Sequence, residues 1–244
     1  MRTVLVTGFE PFGGETVNAS WEAARALDGW RSGDLVASAL MLPVAYIACV
    51  AEFAEAFERL EPDAVLLTGQ AARRATVSVE RFAHSGASAI HADNHGVVRG
   101  GSSSSPLVGK AGRGVTPSFA ELTAAGVAAL AFTHGATPHP RPPPQGGREP
   151  LAFLETTADM AAVARAIRAT GIPSRVSTNA GDYVCNHLYY GALRHLVAAS
   201  PSTPAVFVHL PATPEQTPPR ASRRRLATND AVRALQAAAT ALIA

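Results

Sequence analysis

The sequence predicts an α/β protein in which helices cover both faces of a largely parallel sheet. Short runs of β-branched and apolar residues, typical of buried strands, alternate along the chain with segments of helical periodicity, and glycine or proline separates them. Strands that alternate with helices pair in parallel and are buried on both faces. Of the 244 residues, 47% are hydrophobic and 16% are charged, so the chain has enough apolar material for a substantial core.

The first three predicted elements are a strand, a helix and a strand. Residues 3–7 are short, β-branched and apolar, and Gly8 ends them, which suits a buried strand. Residues 20–27 have helical spacing, and Ser20 at their start can cap a helix. Leu35–Leu42 is a second apolar run that a proline closes, so it predicts the next strand.

A longer helix and two further strands follow. Tyr46–Leu60 has helical spacing of its apolar residues and ends just before a proline. Residues 64–68 form a third apolar run, which a glycine breaks, and they predict a buried strand. Residues 76–82 alternate enough to predict a strand as well.

Regularity lapses over a long segment at about 97–148, which is rich in glycine, serine and proline. Glycine and serine favour flexibility in its first part, and its proline run is extended rather than helical. A loop of this length is either functional or disordered. We therefore predict one domain over residues 1–244, with a long loop or insertion at this place.

The alternation of helices and strands resumes after this loop. Residues 159–170 have helical spacing and stop at a glycine, and residues 175–177 predict a short strand. Val184–Ala199 is a periodic helix, and residues 205–209 are an apolar run typical of a buried strand. Residues 229–244 predict a terminal helix.

Charge and targeting patterns exclude several classes of function. The formal net charge of +2 at pH 7 is too small to indicate binding to nucleic acid or to an anionic membrane. The first apolar run is too short for a signal peptide, and no segment approaches the roughly 18 apolar residues of a membrane span. With two cysteines and no export signal, we expect a cytoplasmic protein with reduced thiols and no nucleic-acid or membrane partner.

Cys185 lies just after a predicted strand, at the start of the predicted helix Val184–Ala199. A thiol there meets helix N–H groups without intrahelical partners and the positive end of the helix dipole. Both favour the thiolate, which is the reactive form of cysteine, so Cys185 is a candidate nucleophile. The second cysteine, Cys49, falls within an apolar helix and is predicted to be a buried, inert thiol.

A cysteine nucleophile needs a base that takes its proton and a third group that holds the base. His209 stands at the tip of an apolar strand, where its ring can face an active site, and the alternative is a core or surface histidine. Glu80 lies within an apolar strand and must find a partner if it is buried. An imidazolium would satisfy it, and so would a salt bridge to Arg81; position alone leaves both open.

The loop at residues 8–14 is rich in glycine but lacks the spacing of nucleotide-binding turns. It also carries two phenylalanines, Phe9 and Phe12. Exposed aromatic rings cost solvation free energy, so these rings either pack inward or line a small apolar pocket. The histidines of the proline-rich segment have no cysteine or acidic ligands beside them, and we predict no metal site.

The most distinctive motif is Ala-Gly-Asp-Tyr-Val-Cys-Asn-His at residues 180–187. Further motifs accompany it in fixed order: residues 4–14, 18, 69–71, 79–81, 93–94, 96, 208–211 and 214–216. Together these segments resemble pyroglutamyl peptidase I, a family of cysteine peptidases also called pyrrolidone-carboxylate peptidases. The resemblance covers most of the chain outside about 97–148 and the far C-terminus.

The resemblance implies an enzyme that removes N-terminal pyroglutamate from peptides by thiolate attack, acyl-enzyme formation and hydrolysis, without cofactor or metal. By position it makes Cys185 the nucleophile, His209 its base and Glu80 the group that orients the imidazole. It also implies a three-layer α/β/α fold with a twisted, largely parallel central sheet, similar to phosphorylases and hydrolases, and assembly as a homotetramer. The residues that match the family's substrate pocket are Phe9, Phe12, Asn18, Gln70, Tyr183 and Val184.

The sequence departs from the family near the expected active site. The family usually has an arginine ten residues after the triad glutamate, and here Ile90 stands there. Arg73, Arg74 and His91 are candidates to replace it. This departure leaves a second function open, a protein that binds pyroglutamyl peptides but turns them over poorly. A weaker alternative is a nucleoside-phosphorylase-like enzyme, because that fold is similar and the first loop is glycine-rich.

Overall fold

The computed structural model describes residues 1–86, 92–98, 152–216 and 224–244. Its helices are α1 (Ala19–Arg25), α2 (Tyr46–Leu60), α3 (Met160–Ala169), α4 (Val184–Ala199) and α5 (Thr228–Ile243). Its strands are β1 (Arg2–Phe9), β2 (Arg31–Ser32), β3 (Leu35–Leu42), β4 (Ala64–Gln70), β5 (Val77–Glu80), β6 (Phe82–His84), β7 (Phe153–Glu155), β8 (Ser174–Ser177) and β9 (Ala205–Leu210).

Seven of the described strands form one mixed sheet in the order β2-β3-β1-β4-β9-β5-β8. The pairs β1–β3, β1–β4, β4–β9 and β5–β8 are parallel. The pairs β2–β3 and β5–β9 are antiparallel. The predicted α/β class with a largely parallel sheet is therefore confirmed, and the reversal at β5–β9 brings the ends of two oppositely directed strands together.

Two hydrophobic cores lie on opposite faces of this sheet. Successive residues of a strand point to opposite faces, so Val4 and Val6 of β1 belong to one core and Leu5 belongs to the other. Helices α1, α3 and α5 contribute to the core that contains Val4 and Val6, whereas α2 and α4 contribute to the core that contains Leu5. Helices thus cover both faces, as the three-layer prediction requires.

The structure corrects the sequence prediction at several element ends. Helix α1 begins at Ala19, and the side chain of Asn18, not Ser20, caps it by accepting a hydrogen bond from Ser20 N. The strand predicted at 76–82 is divided, because β5 belongs to the central sheet while β6 pairs with β7 in a separate two-stranded sheet. The short strands β2 and β7 carry too little pattern to be found from the sequence.

All described elements belong to one unit formed by residues 1–101 and 151–244. The predicted loop or insertion at about 97–148 lies outside the described residues apart from Val97 and Val98. The assignment of residues 1–244 to one domain therefore stays a prediction. Within the described parts of the chain, no helix combines the length and hydropathy needed to cross a membrane.

Candidate active site

Cys185 is the second residue of α4, and its side chain packs against β4. A Cβ atom at Gly69 would lie 2.9 Å from the Cys185 sulfur and 2.9 Å from Cζ of Phe207, so the absent side chain of Gly69 makes room for the thiol. In the register of β4 and β9, Gly69 is opposite His209. The Cys185 sulfur and His209 therefore both adjoin Gly69.

The electrostatics of Cys185 differ from the sequence prediction. Burial raises the pKa of the Cys185 thiol to about 12, although the positive charge of Arg74 acts in the opposite direction. The helix start does not outweigh this desolvation. This raised pKa favours the thiol over the thiolate at neutral pH, and the Cys185 residue itself is partly buried.

His209 and Glu80 form a buried pair between β9 and β5. The Nδ1 atom of His209 lies 2.8 Å from Oε1 of Glu80, and the side chains are 4% and 0% exposed. Burial acts to raise the pKa of Glu80, but the hydrogen bond and electrostatic interaction with the His209 ring, together with the charge of Arg74, outweigh it, so this pKa lies below its usual value. Ionised Glu80 can only accept, so His209 donates through Nδ1 and keeps a lone pair on Nε2.

Burial also lowers the pKa of His209, although the hydrogen bond and charge of Glu80 oppose this effect. The imidazole is therefore neutral at rest. A neutral ring that donates through Nδ1 to a carboxylate is the form of histidine that accepts a proton on Nε2. The ring therefore has the form of a proton acceptor, and both His209 and the Cys185 thiol adjoin Gly69.

Arg74 is a third partner of this pair. Its Nη1 atom forms an ion pair with Oε1 of Glu80, and its Nη2 atom donates to the carbonyl of Asn179 at 2.7 Å. The alternative partner considered from the sequence, Arg81, instead binds Glu155 Oε1 at 2.8 Å. Arg74 precedes Glu80 by six residues in a loop, so no helical or strand period indicates this contact.

A small cavity opens beside the Cys185 side chain. All six residues predicted to bind substrate line this cavity, together with Val44, which the sequence prediction missed. The lining residues are Phe9, Phe12, Asn18, Val44, Gln70, Tyr183, Val184 and Cys185. Val44 follows β3, and the parallel pairing of β3 with β1 brings it close to the residues that follow β1.

The aromatic side chains of the cavity have fixed positions. The rings of Phe12 and Tyr183 are tilted, with centroids 6.4 Å apart. Phe9 is 2% exposed, so it belongs to the core as well as to the cavity wall. The hydroxyl of Tyr183 donates to the carbonyl of Ala92 at 2.8 Å, which ties this wall to the segment at 92–98.

The polar side chains of the cavity differ in what they can offer a ligand. Asn18 Oδ1 accepts from the backbone N and the hydroxyl of Ser20, at 3.0 and 2.8 Å, and its Nδ2 donates to the carbonyl of Glu10. Asn18 is therefore a helix cap that shapes the cavity.

Gln70 presents a donor to the cavity. Its Oε1 accepts from Ala19 N at 2.7 Å and from Nε2 of Gln216 at 2.9 Å, and within the described part of the chain its Nε2 has no protein acceptor. Gln216 is in turn held through its Oε1 by Thr213 N. Gln216 was noticed in the sequence only as part of a motif, and its contact with Gln70 spans 146 residues.

Several sequence predictions about this site keep the form of predictions. Ile90 and His91 lie outside the described residues, so the effect of Ile90 on turnover stays a prediction. Among the residues that are described, no group of three or more histidine, cysteine or acidic side chains could hold a metal ion. The catalytic roles of Cys185, His209 and Glu80 also remain predictions, now with a defined geometry.

Sequence comparisons with known proteins all identify one family. The model of the family described as pyroglutamyl peptidase matches residues 2–114 and 145–244. A pyrrolidone-carboxylate peptidase of Cupriavidus necator is 37% identical over 245 residues, which cover 99% of this chain and 94% of the relative. A pyrrolidone-carboxylate peptidase of Chromobacterium violaceum is 35% identical, with 98% of this chain and 91% of the relative covered.

Solved structures agree with these sequence matches. The crystal structure of Bacillus amyloliquefaciens pyroglutamyl peptidase I superposes with a TM-score of 0.76 at 30% identity, covering 100% of this chain and 98% of that chain. The pyrrolidone carboxyl peptidase from Thermococcus litoralis has a TM-score of 0.74 at 23% identity, covering 100% of this chain and 94% of that chain. This more distant likeness is one of fold.

Proposed function

The chain belongs to the pyroglutamyl peptidase family, and on this premise we propose that it hydrolyses the amide bond that follows an N-terminal pyroglutamyl residue. One observation carries the proposal: the thiol of Cys185 lies at the wall of a small aromatic cavity, and the His209–Glu80 pair borders the same point of the sheet. The aromatic and apolar lining of this cavity suits a flat, uncharged ring such as a five-membered lactam.

In the proposed mechanism the thiol proton of Cys185 passes to Nε2 of His209 as the sulfur attacks the pyroglutamyl carbonyl. A C–S bond forms, the C–N bond breaks, and the imidazolium returns the proton to the departing amine. Water, deprotonated by His209, then hydrolyses the thioester and releases pyroglutamate. Glu80 stabilises the imidazolium and holds the ring in the required tautomer.

The start of α4 offers donors for the negative charge that develops on the carbonyl oxygen. The first N–H groups of a helix have no intrahelical partners, and α4 has no side-chain cap at Tyr183. Backbone donors that already point at the developing charge need no reorganisation during the reaction. We assign the oxyanion site to these groups because they adjoin the nucleophile.

Recognition of the lactam follows from the walls of the cavity. The rings of Phe9, Phe12 and Tyr183 suit a flat uncharged ring, and Nε2 of Gln70 can donate to the lactam carbonyl. An ordinary N-terminus carries an ammonium group, which is costly to desolvate in an apolar cavity without an acidic partner. The cavity therefore selects a blocked N-terminus.

The decisive experiment is an amidase assay with two matched substrates, a pyroglutamyl and a prolyl amide of the same fluorogenic amine. We expect release from the pyroglutamyl amide and a preference of about 10³-fold or more over the prolyl amide, whose ring nitrogen is charged. Absence of release, with reduced thiol confirmed, would exclude a peptidase. Tight binding without release would support the binding protein with poor turnover, and phosphate-dependent cleavage of a nucleoside would support the phosphorylase alternative.

A second prediction concerns Gln70. Replacing Gln70 by methionine removes the Nε2 donor together with the Oε1 acceptor for Ala19 N and Gln216 Nε2. We expect KM to rise by about 10- to 100-fold with a smaller change in kcat, because the lactam carbonyl loses a hydrogen bond in both ground and transition state. Gln236→Met on α5, away from the cavity, is the matched control. An unchanged KM for Gln70→Met would show that Gln70 does not contact the lactam.

Location and assembly complete the proposal. The cytoplasm is supported by the two unpaired cysteines, Cys49 and Cys185, which need a reducing compartment to stay free. Assembly as a homotetramer rests on the family resemblance alone. Light scattering on the purified protein measures it directly, and a monomeric mass would remove this part of the proposal.

A further inference from the structure

We propose that Arg74 is a positioning residue of this active site: its guanidinium shares the Glu80 carboxylate with His209, fixes the turn that leads to Cys185, and sets the pH range in which the site works. The inference rests on the proposed function for its kinetic consequence. Its geometric basis and one of its tests do not depend on the substrate.

His209 and Arg74 share one carboxylate oxygen of Glu80. Oε1 of Glu80 accepts from Nδ1 of His209 and also from Nη1 of Arg74, while Oε2 has no hydrogen-bond partner among the described residues. The Glu80 side chain is 0% exposed and that of Arg74 is 19% exposed. A buried carboxylate needs compensation for its charge, and a neutral imidazole provides only a hydrogen bond. Arg74 supplies the positive charge.

Arg74 also connects Glu80 to the turn that precedes Cys185. Besides Glu80, Arg74 contacts the carbonyl of Asn179 at 2.7 Å and the hydroxyl of Ser177 at 3.5 Å. Oδ1 of Asn179 accepts from Gly181 N at 2.7 Å, which closes the turn between β8 and α4. One guanidinium thus joins the carboxylate of the base to the turn that sets the start of the Cys185 helix.

The positive charge of Arg74 also acts on the pKa values of neighbouring groups. The titratable groups that face this carboxylate are His209 from β9, Cys185 and Tyr189 from α4, and Arg74 from its loop; the Tyr189 hydroxyl donates to the Glu80 carbonyl at 3.1 Å. The charge of Arg74 lowers the pKa of the Cys185 thiol and of His209. Removing this charge raises both pKa values, so both limbs of the pH profile move to higher pH.

The test compares neutral and charged replacements of Arg74 in the full chain. For Arg74→Met and Arg74→Gln we expect the kcat/KM profile on the pyroglutamyl amide to move upward by about 0.5 to 1 pH unit. Arg74→Lys, which keeps the charge, should leave the profile in place even if kcat falls. Arg165→Met is the matched control, because Arg165 is an exposed arginine of α3, on the opposite face of the sheet from Cys185.

A second readout does not require turnover. Iodoacetamide alkylation of Cys185 depends on the thiolate fraction, so at a fixed pH below the thiol pKa it should be about three- to tenfold slower in the two neutral variants. Cys185→Ala gives the background from Cys49. If the wild type releases no amine but the alkylation rates shift, the proposed function fails and the role of Arg74 stands.

Several outcomes would overturn the inference. Neutral variants that fold but keep the wild-type alkylation rate and pH profile would show that Arg74 has only a structural role. A lower kcat without a shift of the profile would show the same. Arg74→Gln retains an amide donor for Glu80 and Asn179, so it supplies the measurement if Arg74→Met does not fold.

Discussion

Replacing Cys185 by alanine is expected to abolish hydrolysis of pyroglutamyl amides, lowering kcat/KM by about 10⁴-fold or more. The substitution removes the only sulfur among the described residues that line the cavity, and no acyl-enzyme can form on this residue without it. The remaining groups, the imidazole and the backbone donors at the start of α4, can still polarise a carbonyl but offer no covalent route. The measurement is the initial rate of amine release, at an enzyme concentration high enough to detect a rate about 10⁴-fold below that of the wild type.

The matched control for this variant is Cys49→Ala. Cys49 is 0% exposed within α2 and its sulfur lies 3.6 Å from the carbonyl of Tyr46, so it packs in the core on the same side of the sheet as Cys185. Its loss should cost about 1 kcal/mol of unfolding free energy and leave kcat/KM within a few-fold of the wild type. Activity that survives Cys185→Ala but disappears in Cys49→Ala would reverse the assignment of the nucleophile.

Binding should persist when the nucleophile is removed. Since the aromatic rings and Gln70 form the cavity, the Cys185→Ala protein is expected to bind a pyroglutamyl peptide with the affinity of the wild type. The removal of hydrolysis then makes equilibrium titration possible. This separates the two functions that the sequence left open, because a binding protein with poor turnover would show similar affinity and no rate in either form.

The elements that position the site were predictable where a local pattern defines them. The bounds of β3, α2 and α4 agree with the sequence prediction at both ends, because each is a periodic or apolar run with a clear break on either side. Cys185 could be placed at a helix start for the same reason. His209 could be placed at a strand end because the apolar run of β9 stops beside it.

Side-chain contacts made by loop residues were not predictable from these patterns. Arg74 lies in a loop, and its partners Glu80 and Asn179 are 6 and 105 residues away, so neither period nor composition links them. The contact of Gln216 with Gln70 is of the same kind. Both are set by the tertiary arrangement of loops at one edge of the sheet, which a single sequence does not encode in any local signal.

The thiol of Cys185 illustrates a different limit. A helix start predicts a lowered thiol pKa, and a backbone hydrogen bond at Cys185 acts in that direction. The depth of burial is a property of the whole fold, and it raises the pKa of Cys185 instead. The importance of His209 and Glu80 follows from this result, because a protonated thiol depends on its base.

Replacing Glu80 by glutamine is the second substitution with a large expected effect. The amide has the shape of the carboxylate and can still accept from His209, but it is neutral. Glu80 acts to raise the pKa of His209 whereas Arg74 acts to lower it, so the variant leaves Arg74 unopposed and makes the imidazole less basic. We expect kcat to fall by about 10²- to 10⁴-fold, with a smaller effect on KM, measured as single-turnover and steady-state rates on the pyroglutamyl amide.

Glu155→Gln provides the control for this loss of charge. Glu155 forms an ion pair with Arg81 in which both side chains are about half exposed, at 47% and 46%, and exposed pairs contribute only about 0 to 1 kcal/mol to stability. Its rate should therefore stay within about twofold of the wild type. If a folded Glu80→Gln protein also kept its rate, the carboxylate would not orient the base, and the shared contact of His209 and Arg74 with Glu80 would serve only the stability of the β5–β9 edge.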